Sequence, residues 1–259
     1  MGSAVHLRNC DLPLCGRFDG AAPALDAEAV DTIEAHWMSR LQANPRLVRG
    51  SVLWLRHLEV GQRHVDLHFG LSDYAHYLYT LDNPGASVTP CRVAYTSALL
   101  LTTDGFAVFG EMAPWTSTPR QLQCAGGGLS LADVAGDMVD IRRNIATEIS
   151  EELNLSMEAP ALALSLQRPT FIKTGGRNDF LGLIHVVQVP MSLAGVQQRH
   201  AQLPESEREF ARLVGVRPVD VADFSALDDR PRVDYLIPLL QAIASTVDSD
   251  LRPMGTSAR

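Results

Sequence analysis

Hydrophobic and polar positions repeat with two different periods in the first part of the chain. In residues 26–42, apolar side chains recur at near-helical spacing until Asn44-Pro45 interrupts them, which predicts an amphipathic helix. In residues 52–58 and 65–69, apolar and polar side chains alternate, as in two half-buried strands. Residues 72–81 predict a short helix. Residues 1–24 mix Gly and Pro with polar positions and predict an extended arm.

Longer apolar runs dominate the middle of the chain. Residues 93–101 and 106–112 predict two strands joined by a hairpin turn at Asp104-Gly105. A further strand at 121–125 leads into a triple glycine, and a helix begins near Ile141. The remaining elements that the pattern predicts are two strands at 162–172 and 180–189 around a loop at 173–179, a charged helix at 204–213 and an amphipathic helix at 233–246.

This order of elements predicts both the fold class and a division into domains. Strands mixed with helices favour an α+β fold, in which helices cover both faces of a mixed sheet as an α/β/α sandwich. The clearest linker signal is Asn83-Pro84-Gly85. We therefore expect a smaller α/β domain at 1–85, a larger domain at 86–246 and a flexible tail at 247–259.

Three glutamates lie on the helix that follows the glycines. Residues three and four positions apart are neighbours on a helix, so Glu148 faces both Glu151 and Glu152. Such a cluster is either a solvated acidic surface or a site for a hard cation, since Mg²⁺ binds through carboxylates and substrate phosphates. Gly127 and Gly128 would bring bare backbone close to a phosphate or a metal. The glutamates alone favour the surface, whereas their position after the glycines favours a metal site.

The segment from the glycines to Leu155 resembles the signature of the Nudix hydrolase family. That signature reads glycine, five residues, glutamate, seven residues, then Arg-Glu-apolar-x-Glu-Glu-x-Gly-apolar. Either Gly127 or Gly128 corresponds to its first glycine. Its second half is matched by Glu148, Ile149, Glu151, Glu152 and Leu155.

The chain departs from this signature in three places. Thr147 stands where the family has arginine. Asn154 replaces the second glycine, although Asn also suits a left-handed helix end. The loop from the glycines to Glu148 is longer than in the signature, so no residue takes the place of the first glutamate cleanly. Asp137 or Asp140 is the substitute that we expect, and either could instead cap the helix near Ile141.

The resemblance implies a metal-dependent hydrolase of a nucleoside diphosphate linked to another group. Mg²⁺, or Mn²⁺, would be held by Glu148, Glu151 and Glu152, with Gly127 and Gly128 beside the substrate. Glu152 or Glu148 would be the catalytic base. Three glutamates further along the chain are alternatives for this role, or lie on a solvated helix face: Glu205, Glu207 and Glu209.

The sequence predicts the identity of the substrate less specifically than it predicts the type of reaction. Lys173 and Arg177 could contact phosphate or ribose from the 173–179 loop, or that loop could be an ordinary exposed hairpin. A missing arginine and an Asn in the glycine slot also resemble the family branch that hydrolyses UDP-glucose and UDP-galactose, which implies a UDP-sugar. An ADP-sugar, a dinucleotide, a coenzyme A derivative or a nucleoside triphosphate remain alternatives, as does a module that binds a nucleotide-sugar without catalysis.

Net charge and cysteine content indicate which kinds of partner the protein can bind and in which compartment it is located. The 259 residues carry a formal net charge of −8, which argues against a nucleic-acid or anionic membrane surface. An anionic substrate would also be repelled by the glutamates unless cations mediate its binding. The four cysteines lack metal-site spacing and predict reduced thiols in the cytoplasm. No apolar run is long enough to span a bilayer, and a homodimer is the default assembly.

Overall fold

A seven-stranded mixed sheet forms the centre of the molecule. The computed structural model describes residues 3–218, 227 and 229–251. The strand order is β1-β10-β11-β5-β6-β12, and β7 pairs with β6. Only the β11–β5 pair in this sheet is parallel, among the residues described. The strands are β1 Ser3–Asn9, β5 Ala94–Leu101, β6 Ala107–Met112, β7 Leu122–Gln123, β10 Phe171–Gly176, β11 Leu181–Gln188 and β12 Phe210–Val216.

Helices cover both faces of this sheet, because successive side chains of each strand point to opposite sides. On one face, α3 (Ile141–Leu153) and α5 (Leu193–His200) pack against Ala98 and Leu100. On the other face, α6 (Leu236–Leu251) packs against Leu99. The short helix α4 (Pro160–Ser165) lies against β11. The predicted α+β sandwich with a mixed sheet is confirmed.

A second, five-stranded sheet has the order β3-β4-β2-β9-β8. Here β2 runs parallel to β4 and antiparallel to β9, so this sheet joins strands from both sides of residue 85. Two helices, α1 (Ala27–Ala43) and α2 (Tyr74–Asp82), pack on each other beside it. The domain boundary near residue 85 stays a prediction. The strands are β2 Leu14–Phe18, β3 Ser51–Val60, β4 Val65–Asp73, β8 Val134–Ala135 and β9 Met138–Val139.

The predicted extended arm at 1–24 is wrong. Its first half forms β1, whose partner is β10, and its second half forms β2, which lies between β4 and β9. All three partner strands lie far away in sequence. A local pattern of mixed residues therefore gives no sign of the pairing that makes these segments strands.

Two other predicted elements are also wrong. The strand expected at 162–172 is divided between α4 and β10, and Pro160 lies in the first turn of α4, where its fixed φ favours a helix. The charged helix expected at 204–213 is a set of turns followed by β12. Phe210 and Leu213 are buried there because β12 pairs with β6, which overrides the local preference for helix.

The remaining predicted helices and strands are confirmed to within a few residues. Asp26 caps α1 by accepting a hydrogen bond from the Ala29 N–H at 2.8 Å. The closing helix α6 starts at Leu236, so Pro238 lies in its first turn. Backbone N–H groups of the first turn have no acceptor within the helix, so the absence of an N–H in proline breaks no helical hydrogen bond there. No helix in the described part of the chain is long and apolar enough to cross a membrane.

Candidate metal centre and active site

Helix α3 presents its glutamates in a fixed register, because its other face is anchored in the core. Ile145 and Ile149 are fully buried against the central sheet. Asp140 caps the helix by accepting a hydrogen bond from the Arg143 N–H at 2.9 Å. Asn154 ends it in the left-handed conformation, with φ of 54°, in the slot where the resembling signature has glycine. Both ends of the helix are therefore fixed by local sequence.

The triple glycine lies directly beside these glutamates. Gly126 donates its backbone N–H to Glu152 Oε2 at 2.7 Å. A Cβ on Gly127 would lie 2.2 Å from Glu148 Oε1, so only glycine leaves the carboxylate in this position. The Gly127 carbonyl accepts a hydrogen bond from the Thr96 N–H at 2.9 Å, which fixes the loop to β5. The structure thus brings Gly127, Glu148 and Glu152 together.

The two inner carboxylates are destabilised as anions. Burial, followed by the charges of Glu209, Glu151 and Asp133, raises the pKa of Glu148 to about 7. Burial, followed by the charges of Glu148 and Glu209, raises the pKa of Glu152 well above its usual range, against the opposing effect of the Gly126 N–H. Glu151 is exposed at the edge of the group.

A fourth carboxylate belongs to the same group. Glu209 precedes β12, and its backbone oxygen accepts a hydrogen bond from the Ala113 N–H at 2.7 Å. Its charge acts on both Glu148 and Glu152, while desolvation and the charge of Glu151 raise its own pKa. Of the three downstream glutamates, Glu209 is the one whose charge acts on Glu148 and Glu152, whereas Glu205 and Glu207 lie in the preceding turn.

Asp133 is a buried residue of this region that was not predicted from the sequence to belong to the site. Its Oδ2 accepts hydrogen bonds from the Ser130 N–H at 2.8 Å and from Asn144 Nδ2 at 3.2 Å. The Thr96 hydroxyl donates to Asn144 Oδ1, which links β5, α3 and the turn that follows the glycines. A signal was available, since five residues separate Gly127 from Asp133, as in the first half of the resembling signature.

The two aspartates that were expected in that role lie elsewhere. Asp137 is exposed in the turn between β8 and β9, and its backbone oxygen accepts a hydrogen bond from the Phe18 N–H at 2.8 Å. Asp140 is the N-cap of α3, which is the alternative role that the sequence predicted for it. Asp133 is therefore the acidic residue of the glycine-to-helix segment whose charge contributes to the raised pKa of Glu148.

The structure does not bring Lys173 to the carboxylates. Lys173 is only 2% exposed, and its Nζ donates to Gly175 O at 2.7 Å and Phe180 O at 3.3 Å and pairs with Asp234 at 3.3 Å. It lies next to Tyr95, on the α6 side of the central sheet, whereas α3 lies on the other side. Arg177 is exposed, and its backbone N–H donates to Asp234 Oδ2 at 3.3 Å.

The chemistry of the donor set fits a hard divalent cation. The four glutamates form no ion pair with a basic side chain in the described part of the chain. Their oxygens are the ligand type that Mg²⁺ and Mn²⁺ prefer, and a dication would offset the burial and the mutual repulsion that raise the pKa values of Glu148, Glu152 and Glu209. No three acidic, His or Cys side chains among the described residues already surround one ion position. Glu148, Glu151 and Glu152 could hold the ion after side-chain rotation.

Comparison with known proteins gives matches to solved structures alone. No protein-family model matches the sequence, and no curated protein matches it. RenU, a Nudix hydrolase from M. smegmatis, matches with 16% identity and a TM-score of 0.37, over 63% of this chain and 90% of that chain. A Nudix hydrolase from Nitrosomonas europaea matches with 16% identity and a TM-score of 0.38, over 63% of this chain and 93% of that chain.

A third match is part of a larger protein. The bifunctional NMN adenylyltransferase/ADP ribose pyrophosphatase from Francisella tularensis, complexed with AMP and a Mn ion, has 12% identity and a TM-score of 0.40. The match covers 62% of this chain and 43% of that one. All three TM-scores lie below 0.5, so these likenesses do not establish the family of the chain.

Proposed function

We propose that the chain is a metal-dependent hydrolase of the Nudix type, which splits a nucleoside diphosphate linked to a second group. The observation that carries this proposal is the contact between the triple glycine and the α3 carboxylates. Gly126 donates to Glu152 at 2.7 Å, and Gly127 leaves no room for a side chain beside Glu148. Desolvated carboxylates without a basic partner next to bare backbone support a cation and phosphate site better than a solvated acidic surface.

The roles of the residues follow from their positions. Glu148, Glu151 and Glu152 would hold Mg²⁺ or Mn²⁺, which neutralises diphosphate charge and activates the attacking water. The water oxygen forms a bond to one phosphorus, its proton passes to Glu152 or Glu148, and the bridging P–O bond breaks on the opposite side. The Gly126 N–H orients Glu152, and the backbone at Gly127 and Gly128 would face the phosphates. The products are two monophosphates.

A UDP-sugar is the substrate that we propose, with UMP and a sugar 1-phosphate as products. The support is the resemblance at Thr147 and Asn154 to the UDP-sugar branch of the family. A cytoplasmic location is proposed together with it, and the four cysteines, which are all free, agree with a reducing compartment.

The test is turnover of a substrate panel with and without Mg²⁺ or Mn²⁺. The panel contains UDP-sugars, ADP-sugars, dinucleotides, coenzyme A derivatives and nucleoside triphosphates, with products identified by mass. We expect UMP and sugar 1-phosphate from a UDP-sugar. Turnover of another diphosphate would keep the chemistry and change the substrate. Thermal stabilisation by a nucleotide-sugar without any turnover would instead indicate a binding module.

Variants test the assignment of the site. Glu152→Gln and Glu148→Gln should each lower turnover by about a hundredfold or more, the loss expected when charge stabilisation in the transition state is removed. Glu158→Gln is the matched control, because Glu158 is exposed beyond the end of α3. Full activity in both Glu152→Gln and Glu148→Gln would refute the site.

A further inference from the structure

The end of helix α1 is tied to the loop at 113–121, which joins β6 to β7. Asn44 is the C-cap of α1, and its Nδ2 donates to the Trp115 carbonyl oxygen at 2.7 Å. One turn earlier, Arg40 Nη2 donates to the Ser117 carbonyl oxygen at 3.1 Å. Side chains of α1 therefore hold the backbone of this loop on both sides of Thr116.

A stacked pair of side chains lies where the helix meets the loop. The guanidinium carbon of Arg46 lies 4.7 Å from the centroid of the Trp115 ring, which is the geometry of a cation–π contact. The Asn44 side chain fixes both partners, since its Oδ1 accepts the Arg46 N–H at 3.2 Å while its Nδ2 holds the Trp115 carbonyl. We call this pair the Arg46–Trp115 stack.

Neither member of the stack has the usual reason for its position. Arg46 is exposed and forms no ion pair with an acidic side chain in the part of the chain that the structure describes. Trp115 is half-buried and joins none of the hydrophobic clusters among the described residues. By contrast, Arg56 lies 6.0 Å from the Trp54 ring but pairs with Asp19, and Trp54 packs against a core cluster.

The stack lies at the same end of the central sheet as the proposed active site. The Ala113 N–H donates to the Glu209 carbonyl oxygen at 2.7 Å, and Trp115 follows two residues later, at most about 7 Å along the chain. The end of β6 lies beside the start of β5, because the two strands are antiparallel, and there Thr96 donates to the Gly127 carbonyl. The loop that carries Trp115 therefore begins next to the fourth carboxylate of the site.

We propose that the Arg46–Trp115 stack binds the nucleobase of the substrate, with the base lying on the face of the guanidinium that Trp115 leaves open. This inference rests on the proposed hydrolysis of a nucleoside diphosphate and adds the group that holds its nucleoside. Nucleobases stack on guanidinium planes as they do on aromatic rings. Trp115 and Asn44 hold Arg46 in place before the base arrives, which lowers the entropy cost of ordering this side chain on binding. A neutral base also avoids the repulsion that the glutamates exert on the phosphates.

Binding of product-like ligands to the metal-free protein tests the stack without turnover. The probes are UMP, AMP and ribose 5-phosphate, which differ in the presence and identity of the base and share the phosphorylated ribose. Calorimetric titration should show at least one nucleotide binding about tenfold or more tightly than ribose 5-phosphate, the gain expected from one stacked base. Equal affinity for all three probes, or no binding of either nucleotide, would overturn the proposal.

Arg46→Lys separates stacking from charge, because lysine keeps the positive charge and lacks the planar face. It should weaken binding of the preferred nucleotide about tenfold and leave the affinity for ribose 5-phosphate unchanged. Arg56→Lys is the matched control, since Arg56 belongs to the other Arg–Trp pair, and it should change neither affinity. Full nucleotide affinity in Arg46→Lys, or an equal loss for ribose 5-phosphate, would refute the stacked base.

A second substitution tests whether the two side chains act as one unit. Trp115→Leu should also weaken nucleotide binding, but it should add little to the loss in Arg46→Lys, because the guanidinium plane that Trp115 orients is already absent. Melting temperatures near that of the unmodified protein would show that both variants are folded. Strictly additive losses in the double variant would contradict the stack.

Kinetics distinguish failure of the stack from failure of the proposed hydrolase. In the turnover assay, Arg46→Lys should raise KM about tenfold and change kcat little, as expected when binding common to ground and transition state is removed. Turnover with an unchanged KM would overturn the stack and leave the hydrolase in place. Nucleotide binding that depends on Arg46, without turnover of any diphosphate in the panel, would overturn the hydrolase and keep the stack.

Discussion

The backbone of Gly127 faces the carboxylate of Glu148 so closely that an added Cβ would lie 2.2 Å from Oε1. Gly127→Ala should therefore displace the end of the Glu148 side chain, which can rotate away without unfolding the helix. We expect turnover to fall by on the order of a hundredfold, the scale of a misplaced catalytic group, while the melting temperature changes little.

Gly50→Ala is the control for this substitution. A Cβ on Gly50 meets no atom within 4 Å, and Gly50 lies outside the proposed site. Turnover of Gly50→Ala should stay close to that of the unmodified protein. If the two alanine variants have equal activity, Glu148 has no part in catalysis at this position.

The stability of the metal-free protein should depend on pH through Glu148. The pKa of this carboxyl is about 7 in the folded protein, above the value of 4.5 expected for an unperturbed glutamate. Between these values the folded state holds the proton and the unfolded state does not, so stability is highest below about pH 4.5 and falls as pH rises to about 7. The contribution is about 3 kcal/mol.

Urea unfolding between pH 5 and 7.5 in the presence of a chelator measures this contribution. Glu148→Gln should make the decline shallower, because the amide does not titrate, while Glu152, whose pKa is also raised, still contributes. Mg²⁺ should restore stability at the upper end of the range by neutralising the carboxylates. A decline of the same steepness in Glu148→Gln would assign it to other groups.

How well the sequence predicts each contact of this site depends on how many residues separate the two partners along the chain. The register of Glu148 on α3, the Asp140 cap and the left-handed Asn154 follow from residues within two turns of one another. Their chemistry was therefore visible in the sequence. The closeness of the glycines to the α3 glutamates was indicated by their order along the chain and by the resemblance to a known signature, whereas the particular contact of Gly126 with Glu152, 26 positions apart, was not predicted.

Contacts between distant segments were not predictable from local pattern. The Lys173 side chain was placed in a loop, but β10 extends through Gly176 and carries it into the interior, where Asp234 meets it. Glu209 was placed on a helix, but β12 pairs with β6 and brings it to the α3 carboxylates. In both cases a strand pairing that no local pattern encodes decides where the charged group lies.

Asn144→Ala should destabilise the fold, since Asn144 joins two other buried groups. It accepts a hydrogen bond from the Thr96 hydroxyl and donates one to Asp133. Removal of the amide leaves the Thr96 hydroxyl without its acceptor and Asp133 with one hydrogen bond fewer, at about 1–3 kcal/mol for each buried group. The free energy of unfolding in urea measures the loss, and Thr147→Ala, at an exposed position of the same helix, should change it little.

A double-mutant cycle decides whether these residues act as a unit. Asp133→Ala and Asn144→Ala should be less destabilising together than the sum of their separate effects, because each removes the same hydrogen bond. Strict additivity would show that the bond between them contributes nothing to stability.

Lys173→Met should lower stability by about 2–4 kcal/mol, because it leaves two carbonyl groups and the Asp234 carboxylate without their buried donor. Arg177→Gln is the comparison, since Arg177 is exposed and should change stability little. The KM of each folded variant tests the separate prediction that these residues contact substrate. A large rise in KM with unchanged stability would show that Lys173 binds substrate rather than supporting the fold.

The pairing of β1 with β10 also sets an order of events during synthesis. β1 is made first, but its partner at Phe171–Gly176 leaves the ribosome only after most of the chain has been translated. Because loops of this length close slowly, the central sheet should complete itself late. Until then the apolar side chains of β1 have no sheet to join, and a chaperone that holds amino-terminal segments should increase the yield of folded protein.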